Sequence, residues 1–294
     1  EQVTIGLLAM ALQEKGISAR SWQGWQVPIR TDDVHGSARI VEIDGADIIQ
    51  RMEAGEVAVV AGFQGISPRN RIATLGRSGS DTTAVALAAA LGADRCDIYT
   101  DVDGVYTADP RIVTAARKLA KITYEGMLEM ASQGAKVLQT RSVELAMNHR
   151  VRVQVLSSFN DTPGTLVVDE DEIVEQAVVS GITYASDEAK VTLLHVSDRP
   201  GVAAAVFGPL AEANVNVYMI VQSASPDGTS TDMTFTVSRG DLPRVQDILA
   251  QHRDTIGFEE VLADGDVVKV SVIGVGMRSH AGVAKRLFAA LSEK

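Results

Sequence analysis

Leu75-Gly76-Arg77-Ser78-Gly79-Ser80-Asp81-Thr82-Thr83 runs straight into the alanine-rich segment Ala84 to Leu91, and the rest of the chain is arranged around this junction. Gly76 and Gly79 compact a loop, and Ser80 or Asp81 is placed to cap a helix over Thr82 to Leu91, because a short side-chain oxygen accepts from backbone N–H groups otherwise unpaired. A glycine-rich loop opening onto a helix N-terminus concentrates donors and partial positive charge. It suits a carboxylate or a phosphate, and Arg77 adds a planar bidentate fork. By itself the motif also fits an ordinary capped helix after a turn.

The 294 residues suffice for roughly two domains, and a hydrophobic content of 46% is ample for cores. Net charge is −11 and there is no dense Lys/Arg block, which argues against nucleic acid or an anionic membrane surface as partner. The single Cys96 excludes an intramolecular disulfide and suits a reducing, cytoplasmic setting; with the five histidines it offers no zinc spacing. No apolar run approaches the ~18–20 residues of a membrane span. The chain opens on Glu1 and stops after an amphipathic stretch, which reads as truncation at both ends.

Upstream of the loop, Val3, Leu7, Met10 and Ala11 recur at helical spacing, so residues 3–14 read as a helix with that face in the core. Short strands are expected at 19–22, 39–43 and 57–61, the last running into Gly62-Phe63-Gln64-Gly65. In open α/β sheets, ligands bind at such strand ends. Downstream, a strand at 95–100 meets Asp103-Gly104 between Val and Tyr, a hairpin signal. Helices at 124–132 and 136–148 then lead to a strand at 151–156. This alternation predicts an α/β sandwich, its mostly parallel sheet covered by helices, over 1–168. Asp169 to Glu172 forms an acidic linker.

Beyond it lies a repeat. Lys190-Val191, Val196, Gly201-Val202-Ala203, Phe207 and Leu210 correspond to Lys269-Val270, Val275, Gly282-Val283-Ala284, Phe288 and Leu291. Each copy reads strand, loop, helix. The first continues through strands at 215–222 and 232–237 and a helix near 241–252, giving the order βαββαβ of a ferredoxin-like module over 173–264. The second, 265–294, ends after its first helix.

The segment Tyr99 to Arg111 carries three aspartates but is no calcium loop, because the required glycine and final glutamate are missing. It presents Thr100 and Asp101 at a strand end, Tyr106 for a base or ribose, and Arg111 for a phosphate. Lys136, at the expected start of a helix where the dipole disfavours a cation, suits a nearby anion. Neither a P-loop nor a Rossmann fingerprint is present, and no catalytic serine triad or metal set is readable. His195, in a strand, reads as a satisfied core residue, and Met127 and Met130 as packing.

GFQG at 62–65, LGRSGSDTT at 75–83, YTDVDGVYTADPR at 99–111, GAKVL at 134–138, RSVE at 141–144, SSF at 157–159 and GTLV at 164–167 together resemble the bacterial aspartokinases. The order and spacing of the pieces match over nearly the whole chain. The resemblance implies an amino-acid-kinase fold followed by two ACT modules, and transfer of the γ-phosphoryl of Mg-ATP to the β-carboxylate of L-aspartate. It implies that Glu1 holds the substrate ammonium, Arg77 its α-carboxylate, and that Ser80 and Phe63 line the same pocket. Asp81 would orient the reacting groups, while Thr100, Asp101, Tyr106, Arg111, Lys136 and Val137 bind ATP, with Mg2+ carried by the nucleotide and no resident metal. Ser197, Asp198, Gly201, Val202, Ala203 and Gln222 match the family's effector pocket, with threonine or lysine as effector and a homodimer through the ACT modules.

Four departures from the pattern carry expectations of their own. The family's N-terminal Lys-Phe-Gly-Gly strand would precede Glu1, so the chain by itself is expected to be poorly active. Ser78 replaces a glycine and is strained if its φ is positive. Tyr218 stands where an acidic effector contact is usual, and Gly208-Pro209 falls inside a helix. The alternative reading is a non-catalytic, amino-acid-sensing regulatory subunit.

Overall fold

The computed structural model describes residues 1–173, 178–224, 230–278 and 280–293. It divides into one unit of Glu1–Thr183 with Val272–Lys294 and a second of Tyr184–Ser271.

The first unit opens with α1 (Gln2–Glu14), followed by β1 (Ala19–Trp22), β2 (Ile29–Thr31), β3 (Ile40–Ile43), α2 (Ala46–Glu53) and β4 (Val57–Val60). The hairpin of β5 (Gln64–Ile66) and β6 (Ile72–Thr74) leads into α3 (Gly79–Ala90). Next come β7 (Cys96–Thr100), β8 (Lys121–Thr123), α4 (Tyr124–Ser132), α5 (Thr140–His149), β9 (Val153–Ser157) and β10 (Thr165–Val168). The strands at 19–22, 39–43, 57–61, 95–100 and 151–156 are therefore present within a residue or two, whereas β2, the 64–74 hairpin, α2, β8 and β10 were not foreseen. β1 pairs with β4 in parallel, as do β7 with β9 and β8 with β10, while β9 and β10 run antiparallel. A four-stranded sheet of order β7-β9-β10-β8 and another of order β3-β2-β5-β6 result. Its largest core joins Val85 of α3, Ile98, Met127, Met130, Val143, Val153 and Val167, so both methionines do pack.

Several local expectations are corrected. On α1 the buried residues are Ile5 and Ala9, whereas Val3, Leu7 and Met10 are 76%, 62% and 67% exposed. Apolar residues ring this helix, so periodicity alone had two faces to choose from. The helix expected from 136 starts at Thr140, leaving Lys136 in the connection after α4. Asp103-Gly104 forms no tight hairpin; Tyr106 bridges Lys118 across a wider loop, with Thr107 N–H donating to the Arg117 carbonyl. The acidic linker folds into a 3-10 turn, Glu170–Glu172, and Glu172 accepts from Arg152 at 3.1 Å. Residues 174–177, at the start of the ferredoxin-like module expected over 173–264, lie outside the described residues.

The second unit follows the order read from the repeat: β11 (Gly181–Ser197), α6 (Val202–Glu212), β12 (Val217–Ala224), β13 (Ser230–Ser238), α7 (Leu242–Gln251), a short α8 (Arg253–Ile256) and β14 (Glu260–Ile273). The sheet order β12-β13-β11-β14 is that of a ferredoxin-like module. One face is dry: Val191, Leu193, Val206, Leu210, Phe235 and Leu249 are fully buried, and Phe207 meets Phe235 edge-on at 5.4 Å. α6 runs through Pro209 without interruption. The repeat is visible in the backbone, since Gly201 precedes α6 at φ 87° and Gly282 precedes α9 (Val283–Ser292) at φ 97°. The division at 264/265, however, falls inside the continuous strand β14, because Lys269-Val270 closes the first module's sheet.

His195 is not a core residue. It sits at a bulge of β11 with φ 52°, its side chain is 58% exposed, and its Nδ1 lies 3.1 Å from Glu259. A positive φ turns the side chain out of the strand's alternation, which a sequence pattern cannot register.

Candidate active site

The Gly76–Asp81 loop is shaped by backbone conformations that the sequence only hinted at. Gly76 has φ 85° and Ser78 φ 53°, so the replaced glycine does stand in the left-handed region. Helix α3 begins at Gly79, earlier than expected, with Ser78 as its N-cap, and the Ser78 side chain makes no capping bond. Asp81 lies in the first turn, where a negative charge complements the helix dipole. Gly79 is fixed by space, for a Cβ there would lie 2.8 Å from Leu75 Cβ and 3.0 Å from the Phe63 ring.

Thr83 welds this loop to the end of β4. Its hydroxyl accepts from Phe63 N–H at 3.0 Å and donates to the Gly79 carbonyl at 2.9 Å, while Leu75 N–H donates to Phe63 O at 2.9 Å. Phe63 is held at φ 67° as a result. Glu1 reaches the same place: its carboxylate accepts a hydrogen bond from Ser80 Oγ, and a Cβ on Gly62 would stand 3.1 Å from Glu1 Oε2. Glu1, Gly62, Ser80 and Thr83 line a cavity of about 650 Å³ beside β4. Thus Glu1, Phe63 and Ser80, distant in sequence, converge on one corner. Arg77 is exposed and unpaired among the described residues. Burial raises the Asp81 carboxyl above its ordinary value.

The other predicted residues gather at the ends of β7 and α4. Thr100 closes β7 and its hydroxyl donates to Asp101 at 3.2 Å. Tyr106 OH donates to Asp103 at 3.0 Å, and Lys118 Nζ meets the other oxygen of that carboxylate at 3.1 Å. The sequence reading missed Asp103 and Lys118. Despite the cost of its own burial, Asp103 is held below the usual carboxylate range by its bonds from Lys118 and Tyr106. Behind them, Thr165 Oγ1 accepts from Val105 N–H at 2.8 Å and donates to Leu119 O at 2.6 Å, fixing the loop from the core. Arg111 grips Asp109 with Nε at 3.0 Å and NH2 at 2.8 Å, so any phosphate must compete with that carboxylate. The Asp109 carboxyl is lowered chiefly by its bonds from Arg111, with a weaker field from Lys136. Lys136 is exposed and Val137 half-buried beside Leu138, which is buried. Among the described residues, no three His, Cys, Asp or Glu side chains assemble as a metal site.

In the second unit, the residues expected at an effector site lie around the loop after β11. Ser197 N–H donates to Gly257 O at 3.1 Å; Asp198 and Gly201 are exposed, Val202 is buried and Ala203 opens the exposed side of α6. Gln222 stands apart, on edge strand β12, which β13 separates from β11, so roughly 10 Å divides the two strands. Within one chain, Gln222 and the Ser197 loop belong to strands that are not neighbours.

A glycine loop capping a helix, a strand-end aspartate pair and a ferredoxin-like module define an amino-acid-kinase domain joined to an ACT module. Residues 4–157 match the amino acid kinase family and residues 190–254 the ACT domain. The chain is 56% identical to the aspartate kinase of Pseudomonas fluorescens, covering all of this chain and 71% of that protein. It is likewise 56% identical to the aspartokinase of Pseudomonas aeruginosa, of which it covers 72%. The structure aligns with E. coli aspartokinase III in complex with aspartate and ADP at a TM-score of 0.81 and 30% identity, over 98% of this chain and 64% of that one. The same enzyme in complex with lysine and aspartate aligns at 0.74 and 30%, over 92% of this chain and 60% of that one. The chain belongs to the aspartokinase family. No helix among the described residues is long and apolar enough to cross a membrane.

Proposed function

We propose that this protein transfers the γ-phosphoryl of Mg-ATP to the β-carboxylate of L-aspartate, giving 4-phospho-L-aspartate and ADP, under feedback through its ACT module. The observation that carries this reading is the meeting of Glu1, Ser80 and Phe63 at the mouth of the Gly76–Asp81 loop. A carboxylate, a hydroxyl and an unpaired guanidinium there match the ammonium and α-carboxylate of an amino acid, which leaves the side-chain carboxylate free to react. Glu1 receives the ammonium, displacing the Ser80 hydroxyl, and Arg77 closes on the α-carboxylate.

Phosphoryl transfer asks the protein mainly for positioning and charge neutralisation. Thr100, Asp101, Tyr106 and Val137 hold the nucleoside side of ATP. Lys136 and Arg111 neutralise phosphate charge once Arg111 leaves Asp109, and Mg2+ arrives with the nucleotide. Asp81, at the first turn of α3, orients the reacting groups. In the ACT module, Asp198 takes the ammonium of threonine or lysine while the loop before α6 takes its carboxylate. Gln222 comes from a second copy across an ACT-mediated homodimer, which accounts for its distance from Ser197 within one chain. The setting is the cytoplasmic synthesis of lysine and threonine.

The test is ADP release by the full-length protein with aspartate, glutamate or no acceptor, alongside calorimetric titration with threonine and lysine. Aspartate-dependent release is expected. Threonine binding without any aspartate-dependent turnover would replace the enzyme with an amino-acid sensor.

A further inference from the structure

Arg141 has no part in the site as described, yet its guanidinium bridges segments far apart in the chain. One terminal nitrogen donates to the Leu75 carbonyl at 3.0 Å and the other to the Ala38 carbonyl at 2.7 Å. Leu75 is the residue immediately before Gly76. Ala38 is fully buried, and its N–H donates to Thr74 O at 3.0 Å, so both acceptors belong to the frame from which the Gly76–Asp81 loop departs.

The placement is costly for a cation. Arg141 is the second residue of α5, where the helix dipole opposes positive charge, and the first turn contains no acidic residue. Among the described residues no carboxylate hydrogen-bonds to it; burial and the neighbouring Arg39 lower its pKa against the weaker pull of Asp32 and Glu144. An arginine kept there on two carbonyls holds geometry, since a planar guanidinium presents two separate nitrogens to the two acceptors at a fixed spacing, which the single nitrogen of a lysine ammonium does not. Behind it, α5 packs on α3, the helix that the loop opens.

We propose that Arg141 is a positioning residue for the phosphoryl acceptor: by clamping Leu75 and Ala38 it sets the Gly76–Asp81 loop in the conformation that lets Arg77 and Ser80 meet the amino-acid substrate. This rests on the aspartate reading for its kinetic consequence, but the clamp itself has an independent readout. Outright loss of two hydrogen bonds from a charged donor corresponds to about 100-fold or more in what depends on them, and to about tenfold or more where water replaces part of the bonding.

The experiment compares full-length wild type with Arg141→Lys and Arg141→Met, both of which keep the aliphatic stem. Hydrogen exchange followed by mass spectrometry should show amides 75–80 losing about tenfold or more of their protection in both variants, with β7 and β9 unchanged. KM for aspartate should rise about 10-fold or more, with Arg141→Lys the milder, while KM for ATP stays within about twofold. Millimolar guanidinium, and not methylammonium, should restore aspartate affinity to Arg141→Ala. Unchanged exchange at 75–80 overturns the clamp, whatever the substrate. Altered exchange with a normal aspartate KM overturns the positioning role. If wild type shows no aspartate turnover while the exchange result holds, the aspartate reading falls and the clamp stands.

Discussion

Replacing Ser78 by glycine should stabilise the protein, and the structure gives the size of the effect. Ser78 sits at φ 53°, ψ 31°. A non-glycine residue held there pays about 1–2 kcal/mol for the approach of Cβ to the backbone. Glycine removes that strain but loses about 0.5–1 kcal/mol through the greater freedom of the unfolded chain. The serine hydroxyl makes no capping bond, so nothing else is forfeited. The net is a gain of about 0.5–1 kcal/mol, or about 1–4 °C in Tm for a unit of this size. Gly79 provides the control, because an added Cβ would press on Leu75 and Phe63 at 2.8 and 3.0 Å. Gly79→Ala should cost about 1–3 kcal/mol and displace Phe63. Thermal unfolding followed by far-UV circular dichroism reads both variants. A lower Tm for Ser78→Gly, or an unaltered Tm for Gly79→Ala, would refute the conformational argument.

Arg77→Ala should lower kcat/KM for aspartate by about 100-fold or more through loss of a bidentate charge-assisted contact, and near-normal steady-state kinetics would remove Arg77 from the site. Asp198→Ala should abolish feedback by threonine or lysine while sparing uninhibited turnover; retained inhibition at the same effector concentration would place the effector elsewhere. Burial raises the Asp81 carboxyl in the folded state, so its contribution to stability is complete at low pH and is lost as pH rises through the folded value. Asp81→Asn should therefore be nearly inactive yet more stable than wild type at pH 7, the difference narrowing as pH falls toward 3.8, and a constant difference across pH would contradict the burial argument. Burial, with the fields of Asp97 and Asp81 adding to it, pushes the Cys96 thiol up to about 11, so iodoacetamide at pH 8 should label it only after denaturation.

Much of the site was legible because its residue types are constrained by local chemistry. Gly76 and Gly79 announce a loop, Asp81 belongs in a helix's first turn, and the Gly201 and Gly282 repeats mark two helix starts of one kind. The signal failed where geometry depends on partners distant in sequence. Asp103 and Lys118 face each other only because the chain returns from 107 to 118, and Thr165 holds that loop from 60 residues away. Arg141 belonged to a motif legible in the sequence, but nothing adjacent reveals the carbonyls at 38 and 75 that it serves.

Local pattern alone carries the α/β character of the first unit, the ferredoxin-like order of the second and the glycine loop that opens α3, since periodicity, glycine placement and capping act over a few residues. The folded chain settles which face of α1 is buried, that Ser78 is left-handed, that His195 is turned outward, and that Lys118 meets Asp103. Those outcomes are set by close packing and by hydrogen bonds between segments tens of residues apart, where the energy lies in relative placement and no local pattern carries it.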